Sequence, residues 1–513
     1  NDTATTEIYT LSLHDALPIC VITFVLGYIP QFIIRRFFLD VLGEDYLGAS
    51  SLYTSVIGYL AIAELGIGTA IIFSLYKPYQ EKDRKLVSQL MNFYGKVYRI
   101  VGFTVAIIGS AATFILPYLI KNNPIGLTDL RICYLLTLLY TVMSYFFTYK
   151  QCLISVAQDN YILSIGNTVS KILICIAQIL SLKIFRSFQS YLIAQIVVQL
   201  IYYIILNRYI DRRFDWIDKN EKILDGETKQ SLFKNIKALF AHKIGGLLVN
   251  GTDNVLLSAM ISLSSVARYN SYNLVLQALK SMYGTTMDTL TPSIGNLLVE
   301  KDSDYALKVH DRIYFLTFWL TSIIVITCYN CLSQFVVLWM GKSQLLDNFT
   351  LNCVFICTYF ALMRTSVEKF KDGSGNFSQD RYAPLIEGVL NLVISIVALK
   401  YLGMAGVFLG TVISDFLVIF WTKPNITYKY VFKCSPLRYY KEYAQYVVIF
   451  LINLVIVRSL THMLADSYTI LSFCGNVVLN VILINILLYI WFRKKEEFIY
   501  YKQMIITKFL KRG

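Results

Sequence analysis

About fourteen apolar stretches of membrane-spanning length run through this chain, and its lysines and arginines crowd into alternate connections between them. A helix needs about 20 mostly apolar residues to cross a bilayer, and 56% of this chain is apolar. Only helices and closed barrels can span lipid, because every backbone polar group needs a partner there. The stretches are continuous rather than alternating, so we predict an all-α integral membrane protein and exclude a barrel.

The basic residues orient the chain. The predicted spans lie near 17–34, 47–72, 97–120, 130–149, 161–182, 188–206, 244–263, 269–298, 313–338, 349–368, 382–399, 402–422, 443–461 and 467–492. Of the 47 lysines and arginines, 33 fall in one set of connections and nine in the other. The positive-inside rule predicts that both termini are cytoplasmic, in a bacterial cytoplasmic (inner) membrane. The net charge of +14 then reflects contact with anionic membrane lipids, and no nucleic-acid partner is expected.

Three short matches recur at a common offset and indicate an internal duplication. They are EKD at 81–83 and 300–302, QDNY at 158–161 with QDRY at 379–382, and Tyr53 with Tyr272. The offset corresponds to six spans, and an even number gives the two halves the same orientation. We therefore predict two parallel six-helix lobes followed by two extra C-terminal helices, which is a transporter design.

The predicted organisation has seven parts. They are a non-native, sequencing-adapter-like segment (1–18), an N-lobe with helices 1–6 (19–207), a cytoplasmic inter-lobe loop (208–243), a C-lobe with helices 7–12 (244–422), a cytoplasmic loop (423–442), helices 13–14 (443–492) and a basic cytoplasmic tail (493–513). The first segment is polar and contains no lysine or arginine, unlike a signal peptide, so we leave it out of the functional argument.

Ionisable residues inside spans are costly and usually face a cavity or a partner. If helices 1, 2, 7 and 8 line a cleft, basic residues there suit a phosphate headgroup, because lysine and arginine pair well with phosphate. The candidate substrate cavity comprises Arg35, Arg36, Glu64, Lys171, Asp253, Arg268, Lys280 and Arg364. For the deep members, a structural ion pair between helices is an equally open interpretation. Arg364 and Glu368 lie near cytoplasmic ends and can snorkel, and Glu387 can snorkel or pair.

Catalytic and metal-binding patterns are weak. Cys328 and Cys331 form a CxxC inside an apolar helix, without the second pair or the histidines of a metal site. KDGSGN at 371–376 lacks the strand, helix and Lys-Ser/Thr of a phosphate-binding loop, so we interpret it as a turn. No catalytic residue, metal or cofactor is expected, and coupling to a proton or sodium gradient is left open.

Two segments resemble bacterial Wzx-type polysaccharide and O-antigen flippases of the multidrug/oligosaccharidyl-lipid/polysaccharide exporter superfamily. They are 42–99, which begins LGEDYLGASSLYTS and includes ELGIGTA, and 369–432, which begins KFKDGSGNFSQDRY. The resemblance implies a MATE-like or MurJ-like fold of fourteen helices, with two lobes around a cationic cavity. It also implies translocation of undecaprenyl-diphosphate-linked oligosaccharide for O-antigen, lipopolysaccharide or capsule synthesis, alongside other polysaccharide assembly proteins. The chain is then a transporter rather than an enzyme.

Two alternatives remain. An ion-coupled multidrug exporter has the same fold but favours an acidic, aromatic cavity, whereas this chain offers mixed charge with several basic groups. A membrane polysaccharide polymerase or ligase is the other alternative. The short predicted outer connections and the six-helix repeat argue against it.

Overall fold

The structure, a computed structural model, describes residues 26–60, 67–218, 221, 226, 230, 251–376, 379–380, 382–465 and 468–510. Among these residues the ordered elements are helices and no strand occurs, which confirms the all-α prediction. The adapter-like segment 1–18 and most of the loop 208–243 lie outside the described residues.

The helices follow one another with short connections. They are α1 (26–42), α2 (Glu44–Leu60), α3 (Ile67–Gln80), α4 (Arg84–Ala112), α5 (Leu127–Phe147), α6 (Gln151–Val156), α7 (Asn160–Phe185), α8 (Phe188–Arg213), α9 (251–260), α10 (Leu263–Asp288), α11 (Leu290–Glu300), α12 (Ser303–Met340), α13 (Asn348–Met363), α14 (Thr365–Gly373), α15 (Ala383–Leu402), α16 (Met404–Ser414), α17 (Phe420–Ile426), α18 (Leu437–Ala465), α19 (Ile470–Phe492) and α20 (Glu496–Leu510). Two π-helical segments, Asp415–Ile419 and Thr427–Val431, flank α17.

Ten helical segments of the described residues are long and apolar enough to cross a membrane, and they match predicted spans three to six and nine to fourteen. The membrane class is therefore confirmed, whereas the count of fourteen stays a prediction. Predicted spans one, two and seven extend into residues that the structure does not describe. The eighth corresponds to α10, whose sequence is more polar than that of a lipid-exposed helix. These are the four helices that were predicted to line a cleft.

The chain divides into two compact units, unit 1 (residues 1–267) and unit 2 (residues 268–513). In unit 1, α7 packs on α8 and α5 packs on both α4 and α8. In unit 2, α15 packs on α16, and α12 packs on α13, α18 and α19. Residues 251–267 belong with unit 1 by these contacts. The lobe boundary predicted at 208–243 stays a prediction.

The duplicated EKD motifs play the same local role in the two units. The Asp83 carboxylate accepts a hydrogen bond from the Leu86 amide at 2.9 Å and caps α4. The Asp302 carboxylate accepts from the Tyr305 amide at 2.9 Å and caps α12. An aspartate at this position satisfies an amide that the helix itself leaves without a partner. The repeated string is thus a helix-start signal.

The duplicated tyrosines also occupy equivalent positions. The Tyr53 hydroxyl of α2 donates to the Leu130 carbonyl in the first turn of α5, at 3.0 Å. The Tyr272 hydroxyl of α10 accepts from the Leu346 amide, just before α13, at 3.4 Å. Both tyrosines are fully buried. Each joins one helix to the start of a later span of its own unit, so the sequence match reflects equivalent packing.

A ladder of amide side chains joins α12 to α19 within unit 2. Asn330 donates to the Asn480 side-chain oxygen at 2.7 Å, and Asn476 donates to the Gln334 side-chain oxygen at 3.1 Å. Trp319 extends the ladder by donating to Asn485 at 3.0 Å. Interhelical hydrogen bonds in membranes contribute about 0.6–2 kcal/mol each. The ladder therefore fixes the last span to unit 2.

Close backbone contact between α15 and α16 makes a glycine necessary at position 406. A Cβ atom there would lie 2.4 Å from backbone atoms of Ala398 and Leu399, which is shorter than real contacts allow. Gly406→Ala is therefore expected to force the helices apart and to lower stability by about 1–3 kcal/mol. The measurement is the thermal unfolding temperature of the purified chain in detergent.

Gly475→Ala in α19 is the matched control, because no atom lies within 4 Å of its added methyl group. The better helix propensity of alanine, worth up to about 1 kcal/mol, should keep or raise its unfolding temperature. Equal unfolding temperatures for the two variants would contradict the close packing of α15 on α16.

Candidate functional site

Two of the predicted cavity arginines, Arg35 and Arg36, lie on α1 in unit 1. The Arg35 guanidinium donates to the Ala267 carbonyl at 2.9 Å, so it holds α1 to the start of α10. Arg36 donates to the Asp40 carboxylate one turn further along the same helix, at 2.9 Å. Both side chains of the Arg36–Asp40 pair are more than 40% exposed. Arg35 therefore has an interhelical contact, whereas Arg36 forms a local surface pair.

Lys171 and Asp253 are the deeper candidates of unit 1. Lys171 is exposed on α7, and its Nζ lies 3.7 Å from the position that a Cβ would take on Gly27 of α1. Asp253 is half-buried on α9, within electrostatic range of the Tyr59 hydroxyl. The exposed ammonium group of Lys171, far from either end of α7, fits a group that faces a cavity.

The remaining candidates divide between unit 2 and the part of the chain that is not described. Arg268 and Lys280 are half-buried on α10, the polar helix of unit 2. Glu64 lies outside the described residues. The structure thus places Arg35, Arg36, Lys171 and Asp253 in unit 1 and Arg268, Lys280 and Arg364 in unit 2. Their joint action on one substrate stays a prediction.

Arg364 is the candidate around which the structure assembles a site. Its guanidinium donates to the Asp415 carboxylate at 2.6 Å and pairs with the Glu368 carboxylate at 3.1 Å. The Lys423 ammonium donates to the same Glu368 carboxylate at 2.5 Å. We call Arg364, Glu368, Asp415 and Lys423 the charge network. Arg364 and Glu368 are therefore paired with each other and with other spans, and snorkelling of either stays a prediction.

Irregular backbone positions the charge network. Arg364 stands between the end of α13 and the start of α14, and Asp415 begins the π-helical segment that follows α16. Such π segments inside helices are frequent at functional sites. The helix then continues through Lys423 and Pro424 to Val431, so predicted span twelve runs further than residue 422.

A third carboxylate, that of Glu387, lies near the charge network. Glu387 is on α15, only 7% exposed, and within electrostatic range of Arg364 and Asp415. Its burial rules out snorkelling and leaves the pairing interpretation. Arg364 and Lys423 lie within electrostatic range of all three carboxylates, and Lys369 adds a further cation near Glu368. A buried carboxylate inside a span can be neutralised by a proton or a small cation when its pairing changes.

A small pocket opens against the charge network, with an empty volume of about 240 Å³. Its walls are formed by Phe360, Arg364, Asp415, Ile419, Phe420, Pro424, Tyr439 and Tyr443. The space fully enclosed by these walls is about that of one water molecule, so the pocket is far too small for an oligosaccharide.

The cysteines and the possible metal ligands can be examined in the part of the chain that the structure describes. No group of three or more histidine, cysteine or acidic residues there is arranged to hold a metal ion. Cys328 and Cys331 of the CxxC are both free thiols. Between spans, burial raises the pKa of the Cys434 thiol and so disfavours its reactive thiolate.

A sequence profile described as "Polysaccharide biosynthesis protein" matches residues 18–298, which is more than half of the chain. The chain belongs to the polysaccharide biosynthesis protein family. Of the two segments that resemble Wzx-type flippases, the match includes 42–99 and ends before 369–432. No curated protein matches this family member in sequence.

Solved structures show the fold of this polysaccharide biosynthesis protein. The lipid II flippase MurJ in an inward closed conformation is 12% identical, with a TM-score of 0.68 over 92% of this chain and 98% of that chain. An inward-facing multidrug resistance MATE transporter of the MOP superfamily is 12% identical, with a TM-score of 0.61 over 78% and 94%. The Vibrio cholerae MATE transporter VcmN is 14% identical, with a TM-score of 0.59 over 82% and 99%. The MATE-like and MurJ-like fold prediction is confirmed, and this is a fold of transporters rather than of enzymes.

The sequence analysis placed Glu368 and Glu387 among ionisable residues in spans but did not group them with Arg364 and Asp415. Arg364 and Asp415 are 51 residues apart along the chain, and Glu368 and Lys423 are 55 apart, so no spacing rule connects the members of either pair. The available signal was the cost of a charge in a span, which implies a partner without identifying it.

Proposed function

We propose that this chain translocates undecaprenyl-diphosphate-linked oligosaccharide across the bacterial cytoplasmic membrane by alternating access. The observation that carries the proposal is the polysaccharide biosynthesis family match combined with a near full-length fold likeness to a lipid II flippase. Lys171 and Lys280, both far from the ends of their helices, support a phosphate-bearing cargo, because lysine pairs well with phosphate. The product would supply O-antigen or capsule synthesis, with other polysaccharide assembly proteins as partners and both termini in the cytoplasm.

We further propose that the charge network couples this transport to a proton or sodium gradient. The buried Glu387 carboxylate beside it can be neutralised by either ion, and its pocket is too small for the cargo. A change in the charge of Glu387 or Asp415 would alter the ion pairs that hold α13, α14 and α16 together. The bound ion would then change the free-energy difference between two conformations of the transporter. Alternating access that is driven by a gradient requires such a change.

The deciding experiment supplies defined lipid-linked oligosaccharides to proteoliposomes that contain the full chain, and measures how much becomes accessible in the opposite leaflet. Gradient-dependent translocation is the expected result. Translocation no faster than in protein-free liposomes, for every donor tested, would overturn the proposal.

A second candidate, an ion-coupled multidrug exporter, is favoured by the MATE likenesses. The same liposomes loaded with cationic drugs distinguish the two. Efflux of drugs without movement of lipid-linked sugar would replace the first proposal with the second.

Neutralising both intramembrane lysines is expected to reduce surface polysaccharide. Lys171→Ala and Lys280→Ala each remove a cation that would face the phosphates of the cargo, and charge-assisted contacts of this kind contribute about 1.5–3 kcal/mol. The measurement is surface polysaccharide in a strain whose own flippase is deleted, normalised to the amount of inserted protein. Lys400→Ala, at the end of α15, is the control because it lies outside the predicted cavity. Full restoration by both variants would refute the basic cavity.

A further inference from the structure

A stripe of polar residues follows one face of α12, and all of it is buried. The residues are His310, Asp311, Tyr314, Thr317, Thr321 and Ser322, and none exceeds 5% exposure. The spacing of four, three and four residues from His310 to Thr321 keeps them on one helix face. We call this set the α12 stripe. It begins at the end of α12 that the basic connections predict to be cytoplasmic.

The α12 stripe is rich in polar atoms that lack hydrogen bonds. Within the described residues, neither ring nitrogen of His310 has a hydrogen-bond partner, and the same holds for the Asp311 Oδ1 and the Tyr314 hydroxyl. The hydroxyls of Thr317, Thr321 and Ser322 also lack hydrogen bonds of good geometry, although the Tyr283 hydroxyl lies close to both threonines. Native proteins leave few buried polar atoms without a partner, and each such group calls for an explanation. So many on one helix face indicate a shared function.

The start of the α12 stripe is arranged to hold a proton. The His310 Nδ1 lies 3.7 Å from the Asp311 Oδ1, and the other carboxylate oxygen accepts from Arg438 at 2.6 Å. A proton bound at Nδ1 forms an N–H bond there and makes the ring an imidazolium, whose charge the facing carboxylate oxygen balances. The titratable and charged groups around this pair, on the elements packed against it, are Asp304, Tyr314, Tyr428, Cys434, Arg438, Tyr439, Glu442, Tyr446 and Glu497.

Aromatic rings surround His310, and that of Tyr314 stacks on the imidazole. The ring centroids of Tyr314, Phe370, Tyr428 and Phe432 lie 5.1–5.7 Å from that of His310. Aromatic faces attract cations within about 6 Å. The four rings come from α12, α14 and the segment after α17. A change in the protonation of His310 would therefore affect the packing at the ends of three spans.

The α12 stripe leads towards the charge network. The Tyr314 ring lies 5.1 Å from that of Tyr439, which lines the pocket beside Arg364 and Asp415. Further along, the Tyr283 hydroxyl of α10 lies beside Thr317 and Thr321 and within electrostatic range of Glu368. Buried polar atoms of this kind are ordinarily satisfied by internal water, which also conducts protons.

We propose that His310 and Asp311 form a proton-binding site, from which the α12 stripe carries protons to the charge network. The proposal rests on the proposed transport function, because it names the proton as the coupling ion and gives its route. The proton-binding step itself involves no cargo, so it can be tested separately.

The first test is a histidine-selective nitrogen-15 NMR titration of the full chain in lipid nanodiscs. The chain has only four histidines, and loss of one signal in His310→Gln assigns His310. We expect protonation of His310 to appear as a change of its nitrogen-15 shifts within the range of the titration, and Asp311→Asn to alter that change. The exposed His462 is the internal control and should not respond to Asp311→Asn. A neutral His310 throughout this range, or a titration indifferent to Asp311→Asn, would overturn the site.

The second test compares hydroxyls with and without partners in the proteoliposome assay. Thr317→Val and Thr321→Val remove hydroxyls of the α12 stripe, and we expect loss of acceleration by a pH gradient with no fall in unfolding temperature. The matched control is Thr461→Val, because Thr461 is equally buried but donates to the Val457 carbonyl at 2.9 Å. It should lower the unfolding temperature and keep the response to the gradient.

The outcomes separate the two proposals. A wild-type chain that moves no lipid-linked sugar while His310 titrates as expected refutes the proposed cargo and leaves the proton site standing. If Thr317→Val and Thr321→Val both move the sugar with the wild-type response to a pH gradient, the proton route is refuted and the proposed cargo still stands.

Discussion

Replacing Asp380 by asparagine is expected to lower the free energy of unfolding by up to about 3–5 kcal/mol, because it removes the closest counter-charge of a buried ammonium group and leaves the more distant Asp372 carboxylate at 4.0 Å. Asp380 accepts from Lys371 at 2.5 Å, and their side chains are 1% and 5% exposed. The pair joins the end of α14 to the start of α15. The measurement is the thermal unfolding temperature of the purified chain, together with the yield of folded protein.

The duplication supplies a matched control for Asp380→Asn. Asp159 occupies the same place in QDNY that Asp380 occupies in QDRY, and it pairs with Arg213. This second pair is partly exposed, with 22% for Asp159 and 36% for Arg213. Exposed pairs contribute about 0–1 kcal/mol, so Asp159→Asn should change little. Equal and small effects of the two substitutions would show that burial of the Lys371–Asp380 pair has no energetic consequence.

Arg364→Gln is expected to have the second large effect, a loss of about 3–5 kcal/mol of stability together with loss of gradient-driven transport. The substitution leaves Asp415 and Glu368 without the guanidinium that pairs with both, and Asp415 is only 6% exposed. The double variant Arg364→Gln/Asp415→Asn removes both partners of the 2.6 Å contact. It should recover part of the lost stability, because a missing pair costs less than a single unpaired charge.

Transport then separates a structural role from a functional one. The double variant should be folded but insensitive to an ion gradient if the charge network couples transport. Lys77→Gln is the control, because the Lys77–Glu81 pair is exposed, local and outside the predicted cavity. A double variant that transports with the wild-type response to the gradient would make the charge network purely structural.

Much of the architecture could be predicted from local sequence, because membrane insertion depends on sums over neighbouring residues. The ten apolar helices of the described residues each coincide with a predicted span, since about 20 apolar residues suffice to favour lipid. The EKD strings likewise mark the starts of α4 and α12, because a cap acts within one helical turn. The sequence analysis also assigned α10, the least apolar of the described long helices, to the predicted cleft rather than to contact with lipid.

The partners of the charged residues could not be predicted in the same way. Asp159 and Asp380 stand in almost the same motif, yet only Asp380 is fully buried, because burial depends on which other helices cover it. Arg364 looked like a residue that snorkels until the fold brought Asp415 within 2.6 Å from 51 residues away. The amide ladder between α12 and α19 joins residues 142–166 positions apart.

The sequence by itself determined the membrane class and the helix starts, and it predicted the duplication. These depend on transfer free energies and capping, which act over one span or one turn of contiguous chain. Only the tertiary structure decided that Arg364 pairs with Asp415, that Lys371 and Asp380 are sealed from solvent, and that the α12 stripe is buried. Electrostatic pairing and desolvation depend on distances between residues that are remote in sequence, and packing of the helices sets those distances.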